Sequence, residues 1–185
     1  MRSEILFVCT GNICRSAVAE RLARARSTVP DDYVRFASAG THAAEGLEMD
    51  LPSALALKEL GGDPDGHASR WLTGDMLEVA DLVLTATTEH RDFSLRKRPS
   101  GLRKTFTLKE FVRLGHGIAP AEGPDDLARL VREVASQRGL LRPGGPKRDD
   151  IADPFGAKPS EAMRAAIETS IAIDSALELL GIRVP

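Results

Sequence analysis

Both cysteines of this 185-residue chain lie in one short stretch, CTGNICRS, which runs from Cys9 to Ser16. Five residues separate Cys9 from Arg15, which is enough for a loop to curl so that its backbone N–H groups converge on an anion. Gly11 permits the backbone conformation that such a curl needs, and Arg15 can hold two phosphate oxygens in one planar fork. A cysteine at the base of this positive cradle is favoured as the thiolate, the nucleophilic form. The stretch therefore predicts an anion site that carries its own nucleophile.

Two other interpretations of the stretch are weaker. A nucleotide-binding P-loop needs a lysine followed by serine or threonine, and this turn contains no lysine. Two ordinary core cysteines beside a strand are the other alternative. Cysteine, arginine and serine at this spacing, with a strand before them and a helix after them, are an uncommon coincidence.

The elements on either side of the stretch are suited to position it. The apolar run EILFVC, which ends at Cys9, predicts a short buried strand, and helical spacing begins at Ser16. A bound anion would then face the N-terminus of a helix, whose dipole favours negative charge.

Strands and helices alternate along the rest of the chain. We predict further strands at 33–40, 81–87 and 104–108, and helices at 50–62, 73–80, 88–98, 109–115, 124–139 and 158–181. The last helix is expected to be capped by Ser160 and closed by Gly181. The alternation predicts an α/β fold, a three-layer sandwich with a central parallel four-stranded sheet, helices on both faces and the phosphate-binding loop after the first strand.

Composition argues against several classes of protein. The net charge of -2 gives no basic field, so no nucleic-acid partner is expected. There is no apolar run of about 18 residues, so no membrane insertion is expected. The start, MRSEILFV, is acidic at Glu4 and is not expected to be a signal peptide. Two cysteines in one loop are not a disulfide framework, which favours a reducing, cytoplasmic location.

The segment VCTGNICRS resembles the signature of the low-molecular-weight protein tyrosine phosphatase family. Three further segments resemble parts of the same family in the same order: SAGT at 38–41, HASR at 67–70 and DPF at 153–155. The resemblance covers most of the chain, from Ile5 to the last helix. It implies one phosphatase domain over 1–185, with an inserted helix and loop around 115–150.

The resemblance implies a two-step reaction without metal or cofactor. Cys9 would attack phosphorus and form a cysteinyl-phosphate, while Arg15 and the loop amides take up charge on the phosphoryl oxygens. Asp153 would protonate the leaving oxygen and then activate water. The residues expected to surround the phosphate are Thr10, Gly11, Asn12, Ile13, Cys14 and Ser16. The partner is expected to be a phosphorylated protein or a small phosphorylated molecule, and the chain is expected to be a monomer or weak dimer.

Supporting roles also follow from the resemblance. Asn12 is expected to hold the loop through side-chain hydrogen bonds, in which Ser38 and His67 would take part. For His67 a surface loop position is the alternative. Ser16 is expected to stabilise the Cys9 thiolate, and its alternative is a helix N-cap. Cys14 is either the partner of an oxidised Cys9 in a protective disulfide or a small buried loop residue.

The walls of the expected cleft depart from the phosphotyrosine-selective pattern. The loop after SAGT, HAAEGLEMDLP, has no aromatic residue, and Gly156 follows Phe155 where a second aromatic is common. Phe155 is thus the expected aromatic of the cleft, and stacking on a substrate ring is weakened. The insertion around 115–150 would either form a lid or wall in place of the missing aromatics, or be a surface elaboration.

Phosphotyrosine in proteins is the main substrate expected, and other functions compete with it. A small-molecule phosphate from a biosynthetic pathway fits the aromatic-poor cleft, and phosphoarginine fits the shared loop, although arginine phosphatases tend to carry threonine at the position of Ile13. An arsenate reductase would need further cysteines to relay a disulfide, and none follows Cys14. A non-enzymatic phosphoprotein-binding module is disfavoured, because binding alone needs neither Cys9 nor Asp153.

Overall fold

A four-stranded parallel sheet lies at the centre of the computed structural model, which describes residues 2–30, 32–140 and 147–182. Its strands are β1 (Ser3–Cys9), β2 (Val34–Gly40), β3 (Leu82–Thr85) and β4 (Thr105–Thr107), in the spatial order β2-β1-β3-β4. β1 is paired on both sides, which explains its nearly continuous apolar sequence. The loop from Cys9 therefore leaves the middle of the sheet, at the point where the strand order reverses.

Helices cover both faces of the sheet, as predicted. They are α1 (Arg15–Arg26), α2 (Leu51–Glu59), α3 (Gly74–Val79), α4 (Thr88–Lys97), α5 (Leu108–Gly115), α6 (Leu127–Ser136) and α7 (Pro159–Leu179), with 3₁₀ turns at Pro99–Arg103, Pro124–Asp126 and Gln137–Gly139. The larger core lies between the sheet and α1, α2, α5, α6 and α7, and the smaller core lies under α3 and α4. Alternate residues of β1 divide between them: Ile5 and Phe7 enter the larger core, and Leu6 and Val8 the smaller.

The start of α7 differs from the sequence prediction. Ser160 was expected to cap this helix, but the helix already begins at Pro159 and Lys158 takes the N-cap position. Proline suits the first helical position because its fixed φ is helical and it has no N–H to satisfy. The Lys158 backbone N–H donates to Glu161 Oε2 at 3.1 Å. The other end is as predicted, since Gly181 has a φ of +70° after the last turn.

The described part of the 115–150 region belongs to the core and the sheet edge. Buried apolar residues of α6 enter the larger core: Leu127, Leu130, Val131 and Val134. Arg138 Nη2 donates to the carbonyl of Thr105 at 2.5 Å, and its guanidinium lies 4.1 Å from the Phe106 ring centroid. This region therefore covers the free edge of β4. The glycine- and proline-rich part, 141–146, lies outside the described residues, and the organisation of 1–185 as one phosphatase domain stays a prediction.

Candidate active site

The loop from Cys9 to Arg15 joins the end of a strand directly to the start of a helix. Cys9 is the last residue of β1 and Arg15 is the first of α1. Cys14 takes the N-cap position, and no side chain within the described ranges caps this helix. The first amides of a helix have no intrahelical partner. They are therefore available, with the helix dipole, to an anion held by the loop.

The end of β2 runs so close to this loop that only glycine fits there. Thr41 N donates to the Cys9 carbonyl and His42 N to the Thr10 carbonyl, both at 2.9 Å. A Cβ on Gly40 would lie 2.4 Å from the Thr10 carbonyl oxygen and 2.9 Å from Asn12 N. Any side chain at this position would push the loop out of place, which explains the glycine of SAGT.

Asn12 itself adopts a left-handed backbone conformation, with a φ of +55°. Its buried side chain donates through Nδ2 to Ser16 Oγ at 3.0 Å and to Ser38 Oγ at 2.8 Å. Its Oδ1 accepts from Arg70 N at 2.9 Å, and its carbonyl lies 2.6 Å from His67 Nε2. These bonds compensate the backbone strain.

The structure brings Ser38 and His67 together at Asn12, where both make hydrogen-bond contacts, and their supporting role in the reaction stays a prediction. His67 is buried, so the surface-loop alternative is wrong. Burial also lowers the pKa of its imidazole.

Sequence reasoning missed Glu20, a buried carboxylate of α1. Ser38 Oγ donates a short hydrogen bond to Glu20 Oε2, and Glu20 Oε1 lies 2.8 Å from Arg24 Nη2. The sequence offered one signal for this role: Glu20 lies four residues after Ser16, on the helix face that meets the loop. Through Ser38 this carboxylate orients the side chain of Asn12.

Cys9 is buried, and its Sγ lies 3.0 Å from Ser16 Oγ. Ser16 Oγ also accepts from Asn12 Nδ2. The hydroxyl hydrogen of Ser16 then has two acceptors in reach, the Cys9 sulfur at 3.0 Å and the Ala39 carbonyl at 3.5 Å, and the shorter contact favours the sulfur. Ser16 is the second residue of α1, so its alternative role as the N-cap is wrong.

Cys14 is a second buried thiol of the loop. Burial raises its pKa to about 12, against the effect of a hydrogen bond with Ser53. Both Cys9 and Cys14 are free thiols in this structure. Cys14 thus packs as a small buried residue here, and the protective disulfide stays a prediction.

The Arg15 guanidinium is buried, with a side-chain exposure of 5%, and points toward the segment that carries Asp153. Nη1 donates to the Ile151 carbonyl at 3.2 Å, and Nη2 lies 2.7 Å from Asp153 Oδ2. The Nε atom is buried and has no hydrogen-bond partner among the described residues. A buried N–H of this kind needs an acceptor, and a phosphoryl oxygen would supply it.

Asp153 lies at the mouth of the site, with 51% of its side chain exposed. Its segment is anchored by the residues just before it. Asp150 Oδ1 accepts from Thr88 N at 2.7 Å, at the start of α4. Asp149 receives two hydrogen bonds from Arg113, at 3.1 and 2.6 Å. These contacts connect the Asp153 segment to helices on both faces of the sheet.

His90 is a second residue that the sequence analysis did not single out. Its Nε2 lies 2.8 Å from Thr10 Oγ1, and its Nδ1 lies 2.8 Å from Thr87 Oγ1. Burial, reinforced by the positive charge of Arg15, lowers the pKa of His90 to about 4. The available signal was its position one turn after β3, because the carboxyl ends of β1 and β3 meet at the same edge of the sheet.

A cleft of about 280 Å³ opens above Cys9. Besides the loop itself, the residues that line it are His42, Ala44, Leu47, Asp153 and Phe155. Leu47 and Phe155 are largely exposed, at 48% and 65%. No lining residue comes from the described parts of the 115–150 region, so these parts do not wall the cleft.

Two kinds of site are absent from the described residues. No group of three or more His, Cys, Asp or Glu side chains is arranged there to hold a metal ion. No helix in the same ranges has the length and apolar character needed to cross a membrane.

Comparison with known proteins gives consistent matches. The family model "Low molecular weight phosphotyrosine protein phosphatase" matches residues 4–121. A protein-arginine-phosphatase of Geobacillus stearothermophilus is 40% identical over 135 residues, covering 72% of this chain and 88% of that protein. The probable low molecular weight protein-tyrosine-phosphatase AmsI of Erwinia amylovora is 36% identical over 141 residues, covering 76% of this chain and 91% of that protein. The solved structure of the YwlE arginine phosphatase from Geobacillus stearothermophilus superposes with a TM-score of 0.72 and 34% identity, covering 96% of this chain and 92% of that one.

Proposed function

The chain belongs to the low molecular weight phosphotyrosine protein phosphatase family, and on this basis we propose that it hydrolyses phosphotyrosine in proteins through a phosphocysteine at Cys9. Members of the family are cysteine-dependent phosphatases, and this chain is one of them. The observation that carries the substrate proposal is the apolar cleft above Cys9. Ile13, Leu47 and Phe155 line it, and an aryl ring between apolar side chains gains both burial and ring contact.

Phosphate binding precedes the chemistry. The Asp153 carboxylate rests on Arg15 Nη2, so the substrate phosphate must take its place there. The phosphate then also supplies an acceptor to the buried Nε–H of Arg15. The displaced Asp153 carboxyl then lies beside the bound phosphate, where it serves as the acid of the first step.

In the first step the Cys9 thiolate attacks phosphorus in line with the leaving oxygen. The S–P bond forms as the P–O bond to the tyrosine breaks, and Asp153 gives its proton to the departing oxygen. Arg15 and the loop amides hold the charge on the three remaining oxygens. This assignment is supported by the position of Cys9 at the base of the loop and of Asp153 at its mouth.

In the second step water hydrolyses the phosphocysteine. Asp153, now a carboxylate, takes a proton from the water while its oxygen attacks phosphorus and the S–P bond breaks. The departing sulfur carries negative charge, which the Ser16 hydroxyl stabilises by donating its hydrogen across the 3.0 Å contact. Inorganic phosphate leaves, and Asp153 returns to Arg15.

Phosphoarginine is the second candidate substrate. It is favoured by the relative from Geobacillus stearothermophilus, a protein-arginine-phosphatase 40% identical to this chain. Against it, a substrate guanidinium is cationic and would need acidic walls, whereas Asp153 is the one carboxylate among the described residues that line the cleft. A small-molecule phosphate is a third candidate, because Leu47 and Phe155 leave the mouth open.

The substrate proposal is tested by measuring kcat/KM on matched peptides. One peptide carries phosphotyrosine and the other phosphoarginine in the same flanking sequence, and a sugar phosphate is the third substrate. We expect the phosphotyrosine peptide to give the highest kcat/KM, with no turnover by the Cys9→Ala variant. A higher kcat/KM on phosphoarginine would transfer the proposal to that substrate, and no phosphate release from any phosphate ester or phosphoarginine would refute the proposed activity.

We also propose a cytoplasmic location. It is supported by the sequence, whose two cysteines lie in one loop and do not form a disulfide framework, and a reducing compartment would keep a nucleophilic cysteine active. The expected monomer or weak dimer stays a prediction, which the molecular mass in solution will test.

A further inference from the structure

His90 is a buried imidazole that contacts the phosphate loop but takes part in neither step of the proposed reaction. It lies in the first turn of α4, where the side chain of Thr87 caps the helix by accepting from His90 N at 3.3 Å. Both ring nitrogens are engaged at 2.8 Å, Nδ1 by Thr87 Oγ1 and Nε2 by Thr10 Oγ1. A neutral imidazole has one N–H and one acceptor nitrogen, so each bond has a direction that depends on the tautomer.

The helix cap favours one direction for the first bond. Thr87 Oγ1 already accepts from the His90 backbone N–H, and its own hydroxyl hydrogen needs an acceptor. Nδ1 is the acceptor within reach, at 2.8 Å. With Nδ1 accepting, the ring hydrogen of His90 is on Nε2 and is donated to Thr10 Oγ1.

The second direction follows at Thr10, which lines the cleft beside Arg15. A hydroxyl oxygen accepts two hydrogen bonds and donates one. Thr10 Oγ1 accepts from His90 Nε2–H and from Arg15 Nη2, the latter at 3.4 Å. Its remaining capacity is the hydroxyl hydrogen. Because Thr10 Oγ1 lies beside Arg15 Nη2, a phosphoryl oxygen that takes the place of Asp153 on Nη2 is a suitable acceptor for this hydrogen.

We propose that His90 is a positioning residue of the phosphatase reaction, which through Nε2–H turns the Thr10 hydroxyl hydrogen onto a phosphoryl oxygen of the bound substrate. Thr10 thus contributes a side-chain donor in addition to the loop amides. In the opposite tautomer Thr10 would give its hydrogen to His90 and present a lone pair to the phosphate, which repels it. The proposal rests on the proposed phosphatase function.

The charges around His90 keep the ring in the neutral form that this role needs. Arg15 and His42 lower its pKa, and Asp150 and Asp153 raise it, but burial has the largest effect and brings the pKa to about 4. At neutral pH the ring therefore adds no second cation beside Arg15, and its one hydrogen has a fixed direction.

The tautomer is tested directly on the wild-type protein by ¹⁵N NMR of the histidine side chains. We expect His90 to be neutral with its hydrogen on Nε2 at pH 7, and still neutral at pH 5.5. The exposed His116 serves as the reference imidazole. A hydrogen on Nδ1, or a charged ring at pH 7, would overturn the proposal. This measurement needs no turnover, so it separates a failure of the His90 role from a failure of the phosphatase function.

The effect on phosphate is tested with variants that remove or restore the donor. His90→Phe and Thr10→Val should each weaken inhibition by orthophosphate and lower kcat/KM by about tenfold, because each removes a hydrogen bond to a charged group. The double variant should lose no more than either single one, since both act through the same hydroxyl. His90→Gln keeps an N–H at the position of Nε2 and should recover kcat/KM to within about threefold of the wild type. The matched control, His116→Phe, should leave both quantities unchanged.

These variants distinguish structural damage from loss of the His90 Nε2–H donor. Should His90→Phe fail to fold, His90→Gln, Thr10→Val and the wild-type NMR measurement still decide the matter. Additive losses in the double variant would contradict the proposal, because they would mean that His90 does not act through Thr10. Orthophosphate inhibition of His90→Phe at the wild-type level would contradict it equally.

Discussion

The loop that holds the phosphate and the segment that carries Asp153 are constructed in different ways. In the loop, Cys9, Asn12 and Arg15 are buried, and hydrogen bonds from β2, α1 and His67 hold the backbone. The segment at 147–156 exposes Asp153 and Phe155. Its anchors lie before Asp153: the Arg113–Asp149 ion pair, the bond from Thr88 N to Asp150, and the buried Ile151. Asp153 itself is held only by its ion pair with Arg15 and by the bond from Phe155 N within the described residues.

This difference matches what each part has to do. In-line attack on phosphorus requires a fixed nucleophile and fixed donors, and small displacements there are costly. The acid must instead leave Arg15 when the phosphate enters and return when it leaves, which an exposed side chain can do. We therefore expect substitutions of Cys9 and Arg15 in the loop to cost the most activity, and substitutions in the Asp153 segment to reduce it by degrees that depend on the leaving group.

The largest effect is expected for Arg15→Lys. Lysine keeps the charge but loses the fork of donors, including the buried Nε–H that lacks a partner. We expect kcat/KM to fall on the order of 10³-fold, with orthophosphate inhibition weakened in parallel. Steady-state kinetics check this, and a loss below about tenfold would mean that the loop tolerates change as the Asp153 segment does.

Asp153→Asn should have the next largest effect. An amide cannot donate an acidic proton, so kcat on the phosphotyrosine peptide should fall roughly 100-fold. The loss should be clearly smaller in the first step with an aryl phosphate whose leaving group needs no proton. Equal losses in that step on both substrates would show that Asp153 is not the acid, and the contrast between the two regions would then lack its chemical basis.

Arg113→Gln tests this comparison, because it removes an anchor of the Asp153 segment without changing a residue of the segment. The bidentate contact with Asp149 is lost, so kcat should fall about threefold to tenfold. The matched control is Arg129→Gln, which removes an ion pair with Asp126 on another part of the surface. Arg113→Gln should lower the free energy of unfolding by on the order of 1 kcal/mol or less. An equal loss of kcat in the control would contradict a positioning effect.

The last prediction concerns how the stability of the folded chain changes with pH. The pKa of His90 is about 4 in the folded chain and about 6.5 in the unfolded chain, so the unfolded state binds its proton first as pH falls. Its contribution is fully present above about pH 6.5 and is lost as pH falls toward 4, by at most about 3 kcal/mol. Urea unfolding of the wild type and His90→Gln should show the difference between them shrinking from pH 7 to pH 4. A constant difference would mean that the imidazole is not held neutral.

The parts of the site that are local in sequence could be predicted. Cys9, Asn12 and Arg15 lie on one continuous segment between a strand and a helix, so their spacing already implies the cradle. The fold class followed from alternating strand and helix patterns, and the comparisons agree with it. Asp153 came from the resemblance of a short motif rather than from any periodicity.

The residues that were missed are those whose role depends on sheet order. His90 meets Thr10 across 80 positions because β3 pairs beside β1, and Arg113 meets Asp149 across 36. The pattern of apolar residues gives neither register nor neighbour. The start of α7 was misassigned for a local reason, since Ser160 competed with a proline just before it. The protective disulfide and the domain limits stay predictions.

The central claim is that Cys9 becomes phosphorylated, and trapping this species tests it most directly. Asp153→Asn is mixed with an activated aryl phosphate, because the first step then needs no acid while the second lacks its base. After rapid denaturation, mass spectrometry of the intact chain and its peptides should find one phosphoryl group, on Cys9. The Cys9→Ala variant should carry none. A burst of aryl alcohol with no phosphoryl group on the chain, or with the group on Cys14, would contradict the account.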